Sequence, residues 1–245
     1  MNFTKYNVSA DAAVKYDAGL RAYMLRIFNL MTIALFTTGI VAYFAGNSAA
    51  FLSIMYSQGP SGMSVSALGW VIQLAPLFMV FFLSFKIQTM SQQAAQVTFW
   101  IYSVLMGLSL SSIFLAYTGE SIARTFFVTA SVFGVMSIFG YTTKKDLTSM
   151  GSFFMMGVVG IILASLVNMF LKSQGLDFAI SVIGVLAFTG LTAYDIQKLK
   201  NIYLHSGRSD LATSSNLAVY GALTLYLDFI NLFIMLLRLF GGRRD

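Results

Sequence analysis

Seven apolar runs of about twenty residues dominate this sequence, and nothing else in it restricts the fold so strongly. They fall at residues 25–45, 66–86, 97–117, 122–141, 151–171, 178–198 and 217–240. At 1.5 Å of rise per residue, roughly 20 residues of α-helix cross the hydrocarbon core of a bilayer. No water reaches backbone N–H and C=O groups there, so only helices and closed β-barrels span it. Barrel strands alternate apolar and polar positions over about ten residues, whereas these runs are continuous. The sequence therefore predicts an all-α integral membrane protein, a bundle of seven transmembrane helices. Composition agrees: 58% of the 245 residues are hydrophobic and 10% are charged, against about 25% charged in a typical soluble domain.

Residues 1–24 read as a polar N-terminal segment and 25–241 as a single transmembrane domain. Connections are short, which predicts antiparallel neighbours, and no internal repeat marks two related halves. The polar start and the length of the first apolar run argue against a removable signal peptide. The net charge of +6 invites a nucleic-acid reading, but most basic residues flank the apolar runs, where they act as a topology signal. With the N-terminus inside, the inner segments hold Lys5, Lys15, Arg21, Arg26, Lys86, Lys144, Lys145, Lys198, Lys200 and Arg208. The outer ones hold Arg124, Lys172, Arg238, Arg243 and Arg244. Ten against five, out of 15 Lys and Arg in all, places the N-terminus in the cytoplasm.

An ionisable side chain at mid-span costs about 2.5–3.5 kcal/mol on insertion scales and is a functional candidate by default. Asp228 lies near the middle of the last span, about 16 Å from its start at residue 217. That is too deep for a short side chain to reach a headgroup. Thr224 and Asn231, at i−4 and i+3, share its helix face. This polar stripe serves either a site or the joining of neighbouring helices. Asp195 lies near the inner end of the sixth span, with Lys198 three residues on, so taken alone it is as well explained by a helix-surface ion pair. The sixth helix runs inward and the seventh returns, however, so both carboxylates belong to the inner half of adjacent helices and can face one another.

Two carboxylates in contact cannot both ionise comfortably, and the pair then shares a proton and titrates as a unit. Such a pair can act as a proton-sensitive latch or bind a hard cation such as calcium through oxygen, with water or backbone carbonyls completing the shell. Lys86, at the inner end of the second span, is the candidate cationic partner; it is equally suited to snorkel toward headgroups.

Other chemistries find little support. The chain has no cysteine, and His205 has no second histidine near it, which disfavours a metal centre. Ser109, Ser111, Ser112 and Asn168 read as helix-packing residues, and Glu120 as a solvated loop charge. No P-loop, GxSxG, HExxH or dinucleotide fingerprint is present. Intramembrane aspartyl proteases carry Gly-x-Gly-Asp, whereas Asp195 follows Ala193 and Tyr194, and Asp228 follows Tyr226 and Leu227. The expectation is that the protein is not an enzyme and carries no cofactor.

The segments "AFTGLTAYDIQKLK" (187–200) and "LTLYLDFINLFIMLLRLFGG" (223–242), with "TTKKDLTSMGSFF" (142–154), closely resemble the Bax inhibitor family of transmembrane BAX-inhibitor-motif proteins. The resemblance covers roughly residues 25–241 and looks most like a bacterial member, which implies the inner (plasma) membrane. It implies seven helices with the last one central and surrounded by the other six. It also implies a pH-sensitive calcium leak, with Asp195 and Asp228 as the pH-sensing pair. In a bacterial type an arginine near the inner end of the second helix pairs with the aspartates. This sequence has no arginine there, and Lys86 is the nearest basic residue. The alternative is a membrane-embedded regulator acting through a protein partner, such as a membrane protease or the cell-death and stress machinery. The polar N-terminal segment would be the part a partner grips. Expected partners are thus membrane lipid, calcium ions and protons, and a membrane protein, with no nucleic acid.

Overall fold

Each long apolar run folds as a helix because a helix pairs its backbone groups within one segment. The computed structural model describes residues 3–59, 62–87, 89–205 and 211–244. In chain order these form α1 (Phe3–Gly46), α2 (Ala49–Met55), β1 (Tyr56–Gly59), β2 (Gly62–Val65), α3 (Ala67–Lys86), α4 (Gln92–Leu110), α5 (Ile113–Ala116), α6 (Gly119–Thr142), α7 (Thr148–Leu171), α8 (Gln174–His205) and α9 (Leu211–Phe240). Seven of the described helices are long and apolar enough to cross a membrane, the third span running from α4 through α5.

Hydroxyl side chains set several boundaries. Ser66 Oγ accepts the Gly69 amide at 2.9 Å, Ser91 Oγ that of Ala94 at 3.2 Å, and Thr118 Oγ1 that of Ser121 at 3.3 Å. Each satisfies an N–H that the first helical turn leaves unpaired. Ser111 and Ser112 mark a break, since the Ser111 and Ser112 hydroxyls bond back to Leu108 and Ser109, and the chain restarts as α5. Asn168 closes the α7–α8 turn: its side-chain oxygen accepts the Ser173 amide at 2.9 Å, beside Lys172 in the left-handed region. The connection after the first span is more ordered than its sequence suggests. It holds α2 and an antiparallel hairpin with Tyr56 opposite Val65. His205 is the last residue of α8.

The last helix is central. Its span is 61% buried, against 6% for α7 and 17% for α3. It packs on α1, α4, α6 and α8, while α3 leans on α4 and α7 on α8. So four helices enclose it directly and two form an outer layer. Outward residues such as Phe78, Phe85, Phe153 and Phe170 are exposed, as expected of faces solvated by lipid.

α6 and α8 approach closely at Gly140, where an added Cβ would lie 2.9 Å from the Ala193 Cα. Small residues allow such backbone contact between membrane helices. Beyond α9 the chain is tied down: the Arg244 amide donates to Ala116 O at 3.0 Å, and that of Thr118 to Gly242 O at 3.1 Å. Three spans separate the start of α1 from this α5–α6 connection, so the tail lies on the opposite side of the bundle from that start. The two ends are called the start side and the tail side below.

Candidate functional site: a buried aspartate pair

Asp195 is carried by α8 and Asp228 by α9, and these two helices pack along much of their length. Each aspartate is 5% exposed. Their carboxyl groups meet closely enough to hydrogen-bond, an arrangement that needs a proton on one of them because an ionised carboxylate only accepts. Among the described residues no N–H or hydroxyl donor reaches the buried Asp228 Oδ2. A buried oxygen with no donor is costly, and it is where a proton, a water or a cation would act.

Lys198, one turn beyond Asp195, acts electrostatically on both carboxyls. It is half-buried, with its Nζ 5.8 Å above the Tyr194 ring. The spacing in sequence linked Lys198 to Asp195 alone; the fold extends its field to Asp228. Lys86 ends α3 with its side chain exposed, and no described interaction joins it to either aspartate. Its positive charge there complements the negative end of the helix dipole. Thr224 and Asn231 lie on α9 beside Asp228 but turn back on their own helix. Thr224 Oγ1 donates to Tyr220 O at 3.1 Å, and Asn231 Nδ2 to Leu227 O at 2.8 Å. Among the described residues no group of three His, Cys, Asp or Glu is placed to hold a metal. A calcium ion meeting this pair would therefore need water or backbone carbonyls for most of its shell.

The start-side connection is fastened to α8 next to the pair. Gln197 Oε1 accepts the Leu147 amide at 2.9 Å, and its Nε2 donates to Lys145 O at 2.7 Å. Lys200 Nζ donates to Tyr141 O at 2.9 Å. In the same connection Asp146 Oδ1 accepts from the Thr148 amide and hydroxyl, which holds its carboxyl below the usual 3.8. This contribution is fully present above pH 3.8 and fades as pH falls through the depressed value.

A second polar group sits on another face of α9, and hydropathy gave no sign of it. Tyr226 OH is 2.7 Å from Thr38 Oγ1 on α1, which lies 2.8 Å from Ser103 O on α4. Tyr102 packs edge-on to the Tyr226 ring, and its buried hydroxyl has no hydrogen-bond partner among the described residues. A tyrosine in mid-span signals such a cluster, because its hydroxyl needs a partner once buried.

Comparison with known proteins places these residues in a lineage. Residues 20–245 match the family described as "Inhibitor of apoptosis-promoting Bax1". The inner membrane protein YbhL of Escherichia coli K12 is 48% identical over 96% of this chain and 97% of its own length. A protein of Rickettsia prowazekii is 45% identical over the full length of both chains. One of Caulobacter vibrioides is 46% identical over 98% of this chain and 96% of its own. With seven spans, a central last helix and matches along the whole chain, this protein belongs to the Bax inhibitor-1 family.

Proposed function

We propose that the protein is a proton-regulated cation leak, with calcium as the transported ion and the Asp195–Asp228 pair as its gate. The observation that supports this reading is the meeting of two buried carboxyls in an apolar bundle, one with an oxygen that no described N–H or hydroxyl reaches. A proton shared between them changes the charge at the α8–α9 interface by one unit, and charge at that depth matters because little water screens it. A cavity of about 740 Å³ opens on the tail side and is lined in part by Gln73, Ser109, Ser112 and Arg238. It reaches α9 no deeper than Ile234, about 9 Å along the helix from Asp228. A vestibule with polar lining that stops short of a buried carboxyl pair supports a closed state of such a leak. By analogy with YbhL, named an inner membrane protein, the chain sits in a bacterial inner membrane, and the excess of Lys and Arg in the inner segments supports an N-terminus in the cytoplasm.

Calcium flux into liposomes carrying the purified protein, measured from pH 5 to 8, tests this reading. Flux above that of empty liposomes and dependent on pH is expected; flux equal to theirs removes it.

A second reading, a regulator acting through a protein partner, is favoured by α1, which begins at Phe3, well before its apolar run opens at residue 25. Deleting residues 2–17 keeps the buried Leu20 in place. In this reading the deletion abolishes the cellular effect and leaves flux unchanged; an effect that survives it counts against a partner on this segment.

A further inference from the structure

α1 and α6 both pack on α9 yet scarcely touch each other in the tail-side half of the bundle. Between them lies a cleft of about 630 Å³. Its floor is Phe229, Ile230 and Phe233 of α9, and its rims carry the exposed Phe36 and Phe44 of α1 and Phe127 of α6. Two polar side chains line it: Thr38, whose hydroxyl is already engaged with Ser103 O and Tyr226 OH, and the exposed Tyr43 near the tail-side end of α1. The remaining lining is apolar, which suits an apolar occupant of the trough. Gly39 faces the cleft, and a Cβ built on it meets nothing within 4 Å. The space is open sideways to whatever solvates the spans, and in a bilayer that is hydrocarbon.

The tail-side end of the cleft is not neutral. Phe114, part of its lining, has its carbonyl bonded by Arg244 Nη1 at 3.1 Å. Arg244 is exposed, and a guanidinium has five donors, so most of its donors remain for an anion. The neighbouring Arg124 is matched instead by Glu120. We propose that the α1–α6 cleft is a lipid site, holding an acyl chain of an anionic phospholipid of the tail-side leaflet with its phosphate on Arg244. The charge complements the headgroup, and the apolar trough takes the chain. This site is independent of the leak reading, although its floor includes the residue next to Asp228.

Native mass spectrometry of protein purified from mixed phosphatidylglycerol and phosphatidylcholine vesicles tests it. Wild-type protein is expected to retain phosphatidylglycerol in preference by about fivefold, the order expected of one basic side chain at a headgroup. Gly39→Phe fills the cleft and is expected to lose the retained lipid. Gly160→Phe, on α7 where an added Cβ also meets nothing within 4 Å, is the matched control and keeps it. Arg244→Gln keeps a lipid but loses the preference. Equal retention by wild type and a folded Gly39→Phe overturns the site. If Gly39→Phe does not fold, an unchanged preference in Arg244→Gln overturns it instead. A second copy of the chain in the cleft, seen as a dimer that Gly39→Phe converts to monomer, also overturns it.

Discussion

Calcium flux through the Asp195→Asn, Asp228→Asn double variant is expected to be the same at pH 5 and pH 8, within about twofold, because the groups that titrate as a pair have gone. Asparagine keeps the volume of each side chain, exchanges one oxygen for an NH2 donor and removes the ability to ionise. In wild type a proton lost from the pair leaves two negative charges against each other between α8 and α9, with Lys198 to offset part of the repulsion. An amide pair has one charge state at all pH values and holds one arrangement. The cation is testable in the same assay. Lys198→Gln removes a charge that favours the ionised pair, so the midpoint of flux moves to higher pH. Lys86→Gln leaves it in place, since Lys86 is exposed and without a described interaction with the pair. Flux in the double variant that still follows pH as in wild type would falsify the gate and send attention to other titrating groups.

The second large effect is on stability. Gly140→Ala is expected to lower the unfolding free energy by about 2–3 kcal/mol, at the upper end of what overpacking costs. The added methyl has no flexible side chain to displace; it meets the Ala193 carbonyl group and Cα, which are backbone. α6 and α8 must therefore move apart, and Asp195 lies two residues from that crossing. Gly160→Ala provides the comparison, because its new Cβ meets nothing. It is expected to be neutral or stabilising by about 0.5–1 kcal/mol, the usual gain when a helical glycine becomes alanine. Unfolding of both variants in detergent micelles, followed by circular dichroism, measures the difference. Equal stability of the two would mean that the α6–α8 crossing is looser than its geometry.

What was legible in the sequence follows from what a bilayer demands. Seven continuous apolar runs had to be helices because their backbones have no other partner, and all seven are present. Asp195 and Asp228 stood out because charge at those depths is unfavourable in isolation, and opposite chain directions put them in the same half of adjacent helices. Features that depend on side-chain direction were not legible. Tyr226 and Thr38 count as ordinary members of apolar spans, so their junction on another face of α9 had no one-dimensional trace. Thr224 and Asn231 share a face with Asp228 as expected, yet bond to their own backbone. The hairpin at Tyr56–Val65 escaped because a connection need satisfy no hydropathy period. The cleft between α1 and α6 was invisible for a related reason, since a gap between two apolar helices leaves the sequence of each unchanged.

The central helix is fastened near both ends. Asn216 Nδ2 holds Met90 O at 2.8 Å on the start side, and the residues after α9 pair with the α5–α6 connection on the tail side. Clips at two points resist sliding of the rod along its own axis like a piston. They resist a swivel or a bow between them less, and that middle stretch carries both Tyr226 and Asp228. A gate built on the aspartate pair would thus work by a twist or a flex of a few residues, felt on opposite flanks of one helix.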